Sequence, residues 1–574
     1  MATENCREAA YSNEYADFIF EYYSNKQEEF QKYAGLCPSD LGAKFGALYV
    51  NRNRIPPLTI EEYMYMSIPK LYGLMDVTAM EASGVLRLQN QPNLLLQGQG
   101  VLMGFIDTGI DLLNPVFWNE SEQSKVLSIW DQTRQDGNPP EGFYFGRSYE
   151  KEEINEIVSR YQASGISKRQ FELREDITRD ENGHGTAMAS LAAGSEQKEN
   201  YFIGAAPRAE LVVVKLKEAK QYLKDFYFIK ENADAYQEND IMLAIRYLGS
   251  IAARERKPMV IVLGLGTNQG DHTGRSPLGE LVSITANTVG FCVVTAGGNE
   301  GNQRHHYSGY TADNDSADVV EINVAENERG FTIELWGDPP DIYSISIIAP
   351  GGEQTGRILP GIVKAEVVRF IFEKTVIYIN YKIVETRTGK QLIIARFENP
   401  TPGIWRIAVF NSNATLKEFN MWLPIHGFLE EDTFFLRSNP NVTLVEPSNA
   451  SAAITVSGYD HHTGAVYAAG SRGYTRNGLI KPDFAAPAVE VSAPDLFGTY
   501  RNVTGTSVAA AITAGVAAQF FTWGFTQKNQ VTMKTVDIKN YLIRGTRRNL
   551  NETYPNRQVG YGKLDGYHAF EVLI

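Results

Sequence analysis

Four short, uninterrupted apolar runs constrain the fold of this chain more than any other feature: Val101–Ile106, Leu211–Val214, Met259–Leu263 and Phe291–Thr295. A strand with one wet face alternates apolar and polar residues, so a continuous run of strand length predicts burial on both faces. Helical stretches such as Asp240–Ala252 lie between the runs. Strand and helix in alternation predict a parallel sheet covered by helices, an α/β architecture. That texture occupies residues 67–314 and returns over 431–574. Between them, 315–430 reads differently. Phe331–Trp336, Tyr343–Ile348, Val367–Phe372, Val376–Val384, Leu392–Phe397 and Trp405–Phe410 are strand-like and closely spaced. Turn signals separate them, such as Asp338-Pro339-Pro340, Pro350-Gly351-Gly352 and Pro402-Gly403. Such punctuation predicts a β-sandwich or jelly roll, here inserted within the α/β unit.

Residues 1–66 read as a small α+β unit. Tyr15, Phe18, Ile19, Tyr22 and Tyr23 fall at helical spacing, so Glu14–Tyr33 is expected to be an amphipathic helix. Ala47–Val50 is expected as a strand, and Ile55-Pro56-Pro57 to break the chain after it. Lys and Arg total 54 against 68 Asp and Glu, a net charge of −14. That balance argues against a nucleic-acid partner and against an anionic membrane surface. Cys6, Cys37 and Cys292 are too few and too far apart for a disulfide framework or a zinc cluster, and are expected to be unpaired thiols in a reducing compartment. Glu4, Arg7, Glu8, Glu14 and Asp17 interrupt any apolar core of a secretory signal, so the expectation is a cytoplasmic protein with no signal peptide. Ser507–Phe525 is apolar but rich in Ala and Gly and carries Thr513, Gln519 and Thr522. It reads as a close-packed buried helix rather than a membrane span.

Three motifs carry reactive side chains. Gly104-Phe-Ile-Asp107-Thr-Gly-Ile-Asp111 runs an apolar strand into an aspartate and a glycine turn. A buried carboxylate there can orient an imidazole and stabilise its protonated form, although a plain structural turn explains the motif equally well by itself. Asn182-Gly-His184-Gly-Thr-Ala opens a small-residue helix with a histidine flanked by glycines, which leaves space beside the ring. Gly505-Thr506-Ser507-Val-Ala-Ala-Ala511 places a serine at the start of another such helix, where backbone N–H groups favour developing negative charge. Standing alone, it would be a simple N-cap.

Taken together, in the order Asp, His, Ser, the motifs resemble the subtilase family of serine proteases. Thr295-Ala-Gly-Gly-Asn299-Glu-Gly301 matches the segment that supplies the family's oxyanion-hole asparagine, and Gly204-Ala-Ala-Pro207, Ser471-Arg-Gly473 and Lys481-Pro-Asp-Phe-Ala-Ala-Pro487 add further likeness. Ala488 departs from the family's usual glycine. The resemblance covers about 67–305 and 431–574. It implies a subtilisin-like parallel sheet, a triad of Asp107, His184 and Ser507, and an oxyanion hole made by Asn299 and the Ser507 N–H. It also implies two substrate-binding segments, Gly264-Leu265-Gly266 and Ala296-Gly297-Gly298, flanking the pocket for the side chain before the scissile bond (P1). Their lack of bulk and of carboxylates predicts a roomy pocket that takes a large apolar P1 residue. His184 and Ser507 stand 323 residues apart, against roughly 160 in subtilisin, and most of the excess follows Asn299.

An N-terminal prodomain and a jelly roll between the Asn and Ser motifs are similar to the Csp group of clostridial proteases. That likeness implies a protein substrate, the zymogen of a spore cortex-lytic enzyme cleaved during germination, and packaging in the spore. It further implies a prodomain, 1–66, that is cut off within Met64, Tyr65, Met66 and Ser67 and stays bound. A general intracellular protease for protein turnover and a non-catalytic sensing relative are the alternatives. No cofactor is expected. The family's calcium motifs are not clear in the chain, so no metal ligands are assigned.

Overall fold

The computed structural model describes residues 15–22, 26–42, 45–56, 78–91, 95–219, 221–311, 316–361, 363–385, 387–412 and 418–573. Two compact units divide the chain, Met1–Leu74 and Met75–Ile574.

In the first unit, strands Tyr15–Glu21, Phe45–Asn51 and Ser39–Gly42 form a three-stranded sheet with Phe45–Asn51 in the middle. The helix expected over Glu14–Tyr33 is therefore wrong in its first half: helix begins only at Lys26 and ends at Lys32. Phe18, Phe20 and Tyr22 satisfy a period of two as well as Phe18 and Tyr22 satisfy helical spacing, and pairing with Phe45–Asn51 decides between them. Phe20 and Tyr22 then pack against Phe30 of the helix, one tilted and one edge-on, with centroids 5.7 Å apart in each case. Cys37 is held in a disulfide, which corrects the expectation of unpaired thiols. Among the described residues Cys292, buried and free, fits it, and the cysteine count no longer argues for a reducing compartment. The expected cleavage region, Met64–Ser67, lies outside the described residues.

The second unit is built on an eight-stranded sheet. Its order is Phe484–Pro487, Ile454–Tyr459, Phe291–Ala296, Met259–Leu263, Leu102–Asp107, Glu210–Lys215, Val126–Asp131 and Arg147–Glu150. All neighbours are parallel except the last pair. The four apolar runs are its central strands, and every residue of Leu102–Asp107 and Met259–Leu263 is buried. Helix Glu238–Glu255 covers one face, its residues Leu248 and Ile251 joining Leu102, Ile106 and Ile261 in one core. Helices His184–Ala193 and Thr506–Phe521 pack with the strand residues of the other face. The apolar stretch after Ser507 is a core helix with all 16 residues buried. Thr506–Thr526 is long and apolar enough to cross a membrane, but 89% of its apolar window is buried inside the protein. Its small residues permit close approach: a Cβ on Gly515 would stand 2.3 Å from Ala205 Cβ and 2.8 Å from the Ala192 carbonyl oxygen.

Between neighbouring sheet strands Phe291–Ala296 and Ile454–Tyr459 the chain forms two antiparallel sheets. Six strands make one (His306–Tyr310, Glu418–Trp422, Gly330–Gly337, Gln391–Glu398, Val376–Lys382, Val363–Arg369) and four make the other (Tyr343–Ile348, Gly403–Asn411, Asp318–Val324, Phe434–Phe435). Ile333, Phe397, Trp405 and Ile407 from both sheets share a separate core. This all-β segment starts earlier than the expected residue 315, because His306–Tyr310 pairs with Glu418–Trp422 without being an apolar run. The strand expected over Val367–Phe372 ends instead at Arg369. The backbone N–H groups of Ile371 and Phe372 go to the Glu353 carboxylate, and their side chains are exposed.

Candidate active site

Asp107 is the last residue of its strand and is buried. In a parallel sheet the carboxyl ends of the strands line up on one edge, where loops can converge. His184 is the first residue of its helix, and the residue before it, Gly183, has φ 87°, a conformation that favours glycine. Gly185 is needed for space: a Cβ there would lie 2.2 Å from the Gly109 carbonyl oxygen and 3.2 Å from Asp107 Cβ. The helix thereby sits directly on the aspartate turn. His184 Nδ1 is 2.8 and 2.9 Å from the two Asp107 carboxylate oxygens, and His184 Nε2 is 3.1 Å from Ser507 Oγ. Asp107, His184 and Ser507, dispersed over 400 residues, form one hydrogen-bonded chain. The Asp107 carboxylate raises the pKa of His184 above the usual imidazole value, with burial opposing it; Asp180 adds to the rise and Arg501 works against it.

Ser507 is the second residue of the core helix, and Gly505 before it adopts φ 155°, ψ 162°, a region open to glycine. The Ser507 N–H is one of the four at a helix start that have no partner in the helix. Asn299 is exposed, and its side-chain oxygen accepts the Thr506 backbone N–H at 3.0 Å. That bond leaves the Asn299 Nδ2 amide as a donor facing outward. A Cβ on Gly505 would stand 3.4 Å from Ser507 Oγ and 3.5 Å from Asn299 Nδ2, so the space between hydroxyl and amide is the space a side chain at 505 would fill.

Gly264 also borders the chain of three, since its Cβ would be 3.2 Å from His184 Cε1 and 3.3 Å from Ser507 Cβ. Leu265 and Gly266 follow, and Ala296 ends the neighbouring strand, with Gly297 and Gly298 just beyond it. Where a roomy pocket is expected between the two segments, a side chain stands. A Cβ on Gly266 would meet Val445 Cγ2 at 2.2 Å, and one on Gly298 would meet Val445 Cγ1 at 2.7 Å. The Val445 isopropyl group fills the gap that the missing side chains leave. Its segment is stitched to both walls: the Val445 N–H donates to the Gly297 oxygen at 3.1 Å, and Thr267 and Glu446 exchange N–H···O bonds of 3.0 and 2.8 Å. Neither nearby carboxyl charges the gap. Glu446 is buried, accepts the Gly274 N–H at 3.0 Å and is pushed up to about 8 by burial. Glu300 turns inward to His305.

Sequence reasoning missed three residues here. Asp180 is buried, and its two oxygens accept from Thr108 Oγ1, the Asn182, Gly183 and Thr186 N–H groups and Thr186 Oγ1 at 2.8–3.0 Å. It ties the aspartate turn to the histidine turn. The run Asp180-Glu-Asn-Gly carried the signal, an Asx-turn pattern four residues before His184. Thr506 was inside a recognised motif. Val445 had no signal, because nothing in its neighbourhood marks a site. No group of three or more His, Cys, Asp or Glu side chains suited to a metal ion occurs among the described residues.

A buried serine at a helix start, a histidine between it and a strand-end aspartate, and a mostly parallel sheet beneath them define the class, a subtilisin-like α/β fold. The chain belongs to the subtilase family (peptidase S8), whose model matches residues 98–366 and 411–562, and this places it among the serine endopeptidases. The solved structure of the CspB protease of Clostridium perfringens has a TM-score of 0.75 to it at 27% identity, over 86% of this chain and 97% of that one. C5a peptidase of Streptococcus pyogenes is 21% identical over 513 residues, 82% of this chain and 40% of that protein. Subtilisin-like protease SBT2.3 of Arabidopsis thaliana is 33% identical over 130 residues, 21% of this chain and 15% of its own. The chain thus spans less than half the length of these two curated relatives.

Proposed function

We propose that the chain hydrolyses peptide bonds through Asp107, His184 and Ser507. The observation that carries this reading is the continuous hydrogen bonding from Asp107 through His184 to Ser507 Oγ. Ser507 Oγ attacks the scissile carbonyl carbon while His184 Nε2 takes its proton. Asp107 keeps the Nδ1 proton in place and stabilises the imidazolium. The carbonyl oxygen, now an oxyanion, is met by the Asn299 Nδ2 amide and the Ser507 N–H, each such donor contributing roughly 3–4 kcal/mol to lowering the barrier. The imidazolium passes its proton to the leaving amine, and a water activated by the same histidine releases the acyl group from Ser507. Ser507→Ala is expected to lower the rate by about 10⁶ with an unchanged fold. A peptide hydrolysed equally well by the variant, or no labelling of Ser507 by a fluorophosphonate, sinks the reading.

The finer reading is a narrow processing protease. Residues 1–66 act as a prodomain removed by self-cleavage, the 315–430 region is a jelly-roll brace, and the substrate is the zymogen of a spore cortex-lytic enzyme in a sporulating host. The motif resemblance to the Csp group and the likeness to CspB over most of both chains support it. Val445 also supports it, since a blocked P1 gap suits a few chosen bonds better than general turnover. Incubation with casein and with a cortex-hydrolase zymogen separates the two roles: efficient casein digestion with the zymogen left intact refutes the processing role.

A further inference from the structure

Asn299 is followed by Glu300, a carboxylate that is 4% exposed and takes no part in the chemistry above. It collects three donors. Oε1 accepts the backbone N–H of His426 at 2.9 Å. Oε2 accepts from His305 Nδ1 at 2.7 Å and from Asn268 Nδ2 at 3.2 Å. His426 lies just beyond Glu418–Trp422, a strand of the six-stranded sheet, and His305 lies just before His306–Tyr310, its partner strand. Asn268 follows Thr267 on the opposite wall of the P1 gap, and its amide also donates to the Leu423 oxygen at 3.1 Å. Leu423 in turn donates its N–H to the His305 oxygen at 3.0 Å. The chain entering the all-β segment, the chain just past its strand Glu418–Trp422 and both pocket walls therefore meet at one carboxylate, one residue from the oxyanion amide.

The backbone on either side of Asn299 is pinned as well. The Glu300 N–H donates to Ser471 Oγ at 3.0 Å, and the Ser471 N–H donates to the Gly298 oxygen at 2.9 Å. With Thr506 holding the Asn299 side-chain oxygen, what remains to be fixed is where the turn itself sits over the nucleophile. A group that must donate to an oxyanion has to be placed to within a fraction of an ångström before the reaction begins.

We propose that Glu300 is a positioning residue for the Asn299 amide, and that through it the all-β segment takes part in setting the oxyanion hole. The inference rests on the reading of Asn299 as an oxyanion donor. The site uses both oxygens of the side chain. The amide of a glutamine would keep one acceptor and turn an NH₂ group toward the remaining donors. The all-β segment then has a mechanistic reason to sit where it does: its first strand begins, and the strand paired with it ends, beside the turn that must not move.

The test is a double-mutant cycle on the full chain with a peptide amide substrate, with thermal unfolding of each variant as a folding control. Glu300→Gln is expected to lower kcat by roughly tenfold and to leave KM within about twofold. His305→Ala, which removes one donor and keeps the carboxylate, is expected to show the same split with a smaller loss, and serves if Glu300→Gln does not fold. In an Asn299→Ala background, itself slower by about 10²–10³, Glu300→Gln and His305→Ala should cost nothing further. The same loss in both backgrounds, or a loss confined to KM or to melting temperature, overturns the inference while leaving the oxyanion hole standing. Wild-type kcat for Asn299→Ala alone overturns both.

Discussion

Replacing Val445 should change which peptide bonds are cut. In the native chain its isopropyl group stands where side chains on Gly266 and Gly298 would otherwise stand, 2.2 and 2.7 Å from those two Cβ positions. A P1 side chain entering between the walls meets those methyl groups. Wild-type enzyme should therefore favour Ala or Ser over Leu or Phe at P1. Val445→Ala removes two methyl groups, and at about 0.8 kcal/mol for each carbon newly buried by substrate the gain for a Leu substrate is about 1.6 kcal/mol, roughly 15-fold in kcat/KM. Val445→Gly removes three carbons, for about 2.4 kcal/mol and roughly 50-fold. The P1-Ala substrate should change by less than about threefold in Val445→Ala, because its methyl group reaches only the mouth of the gap. The assay is kcat/KM over a P1 series of otherwise identical peptides, with melting temperature as a control for the cavity. A wild-type preference for Leu, Phe or Tyr refutes the reasoning. So does an unchanged Leu-to-Ala ratio in a folded Val445→Ala.

Two further outcomes follow from the geometry of the site. Gly264→Ala puts a methyl group 3.2 Å from His184 Cε1 and 3.3 Å from Ser507 Cβ; a displacement of a few tenths of an ångström should cost kcat roughly tenfold with little change in melting temperature, and full activity would show that the ring has room to move. Because the Asp107 carboxylate holds the His184 pKa up and the neutral ring is the proposed base, kcat/KM should fall on acidification with a midpoint above the usual value near 6.5. Asp107→Asn should move that midpoint to lower pH and cost about 10⁴ in rate; a wild-type midpoint below 6 contradicts the assignment.

Much of the site was legible in the chain because short-range constraints wrote it there. An aspartate at the end of an apolar strand, a histidine between two glycines and a serine opening an Ala-rich helix each need particular neighbours for local reasons. Gly185 is where it is because nothing larger fits, and Gly505 because its φ of 155° favours glycine. The central strands were equally legible, since burial on both faces leaves an uninterrupted apolar run. Tyr15–Glu21 was not, because its aromatic residues fit both periods and only the partner strand Phe45–Asn51 breaks the tie.

The pocket was misread for a related reason. Its walls are two glycine segments that the chain displays openly, and absent side chains look like empty space. Whether the space is empty depends on what the fold brings into it. Here that is Val445, carried in by a segment well over a hundred residues from either wall and held by backbone bonds to Gly297 and Thr267. Glu300 is the same case in the opposite sense. In the sequence it is an acidic residue beside the pocket, whereas in the fold it turns inward to His305, His426 and Asn268. The sequence by itself determined which groups can react, because their chemistry depends on residue type and immediate neighbours. Only the tertiary structure decided what stands between the two glycine segments and what holds the Asn299 turn, because both depend on distant segments meeting at contact distance.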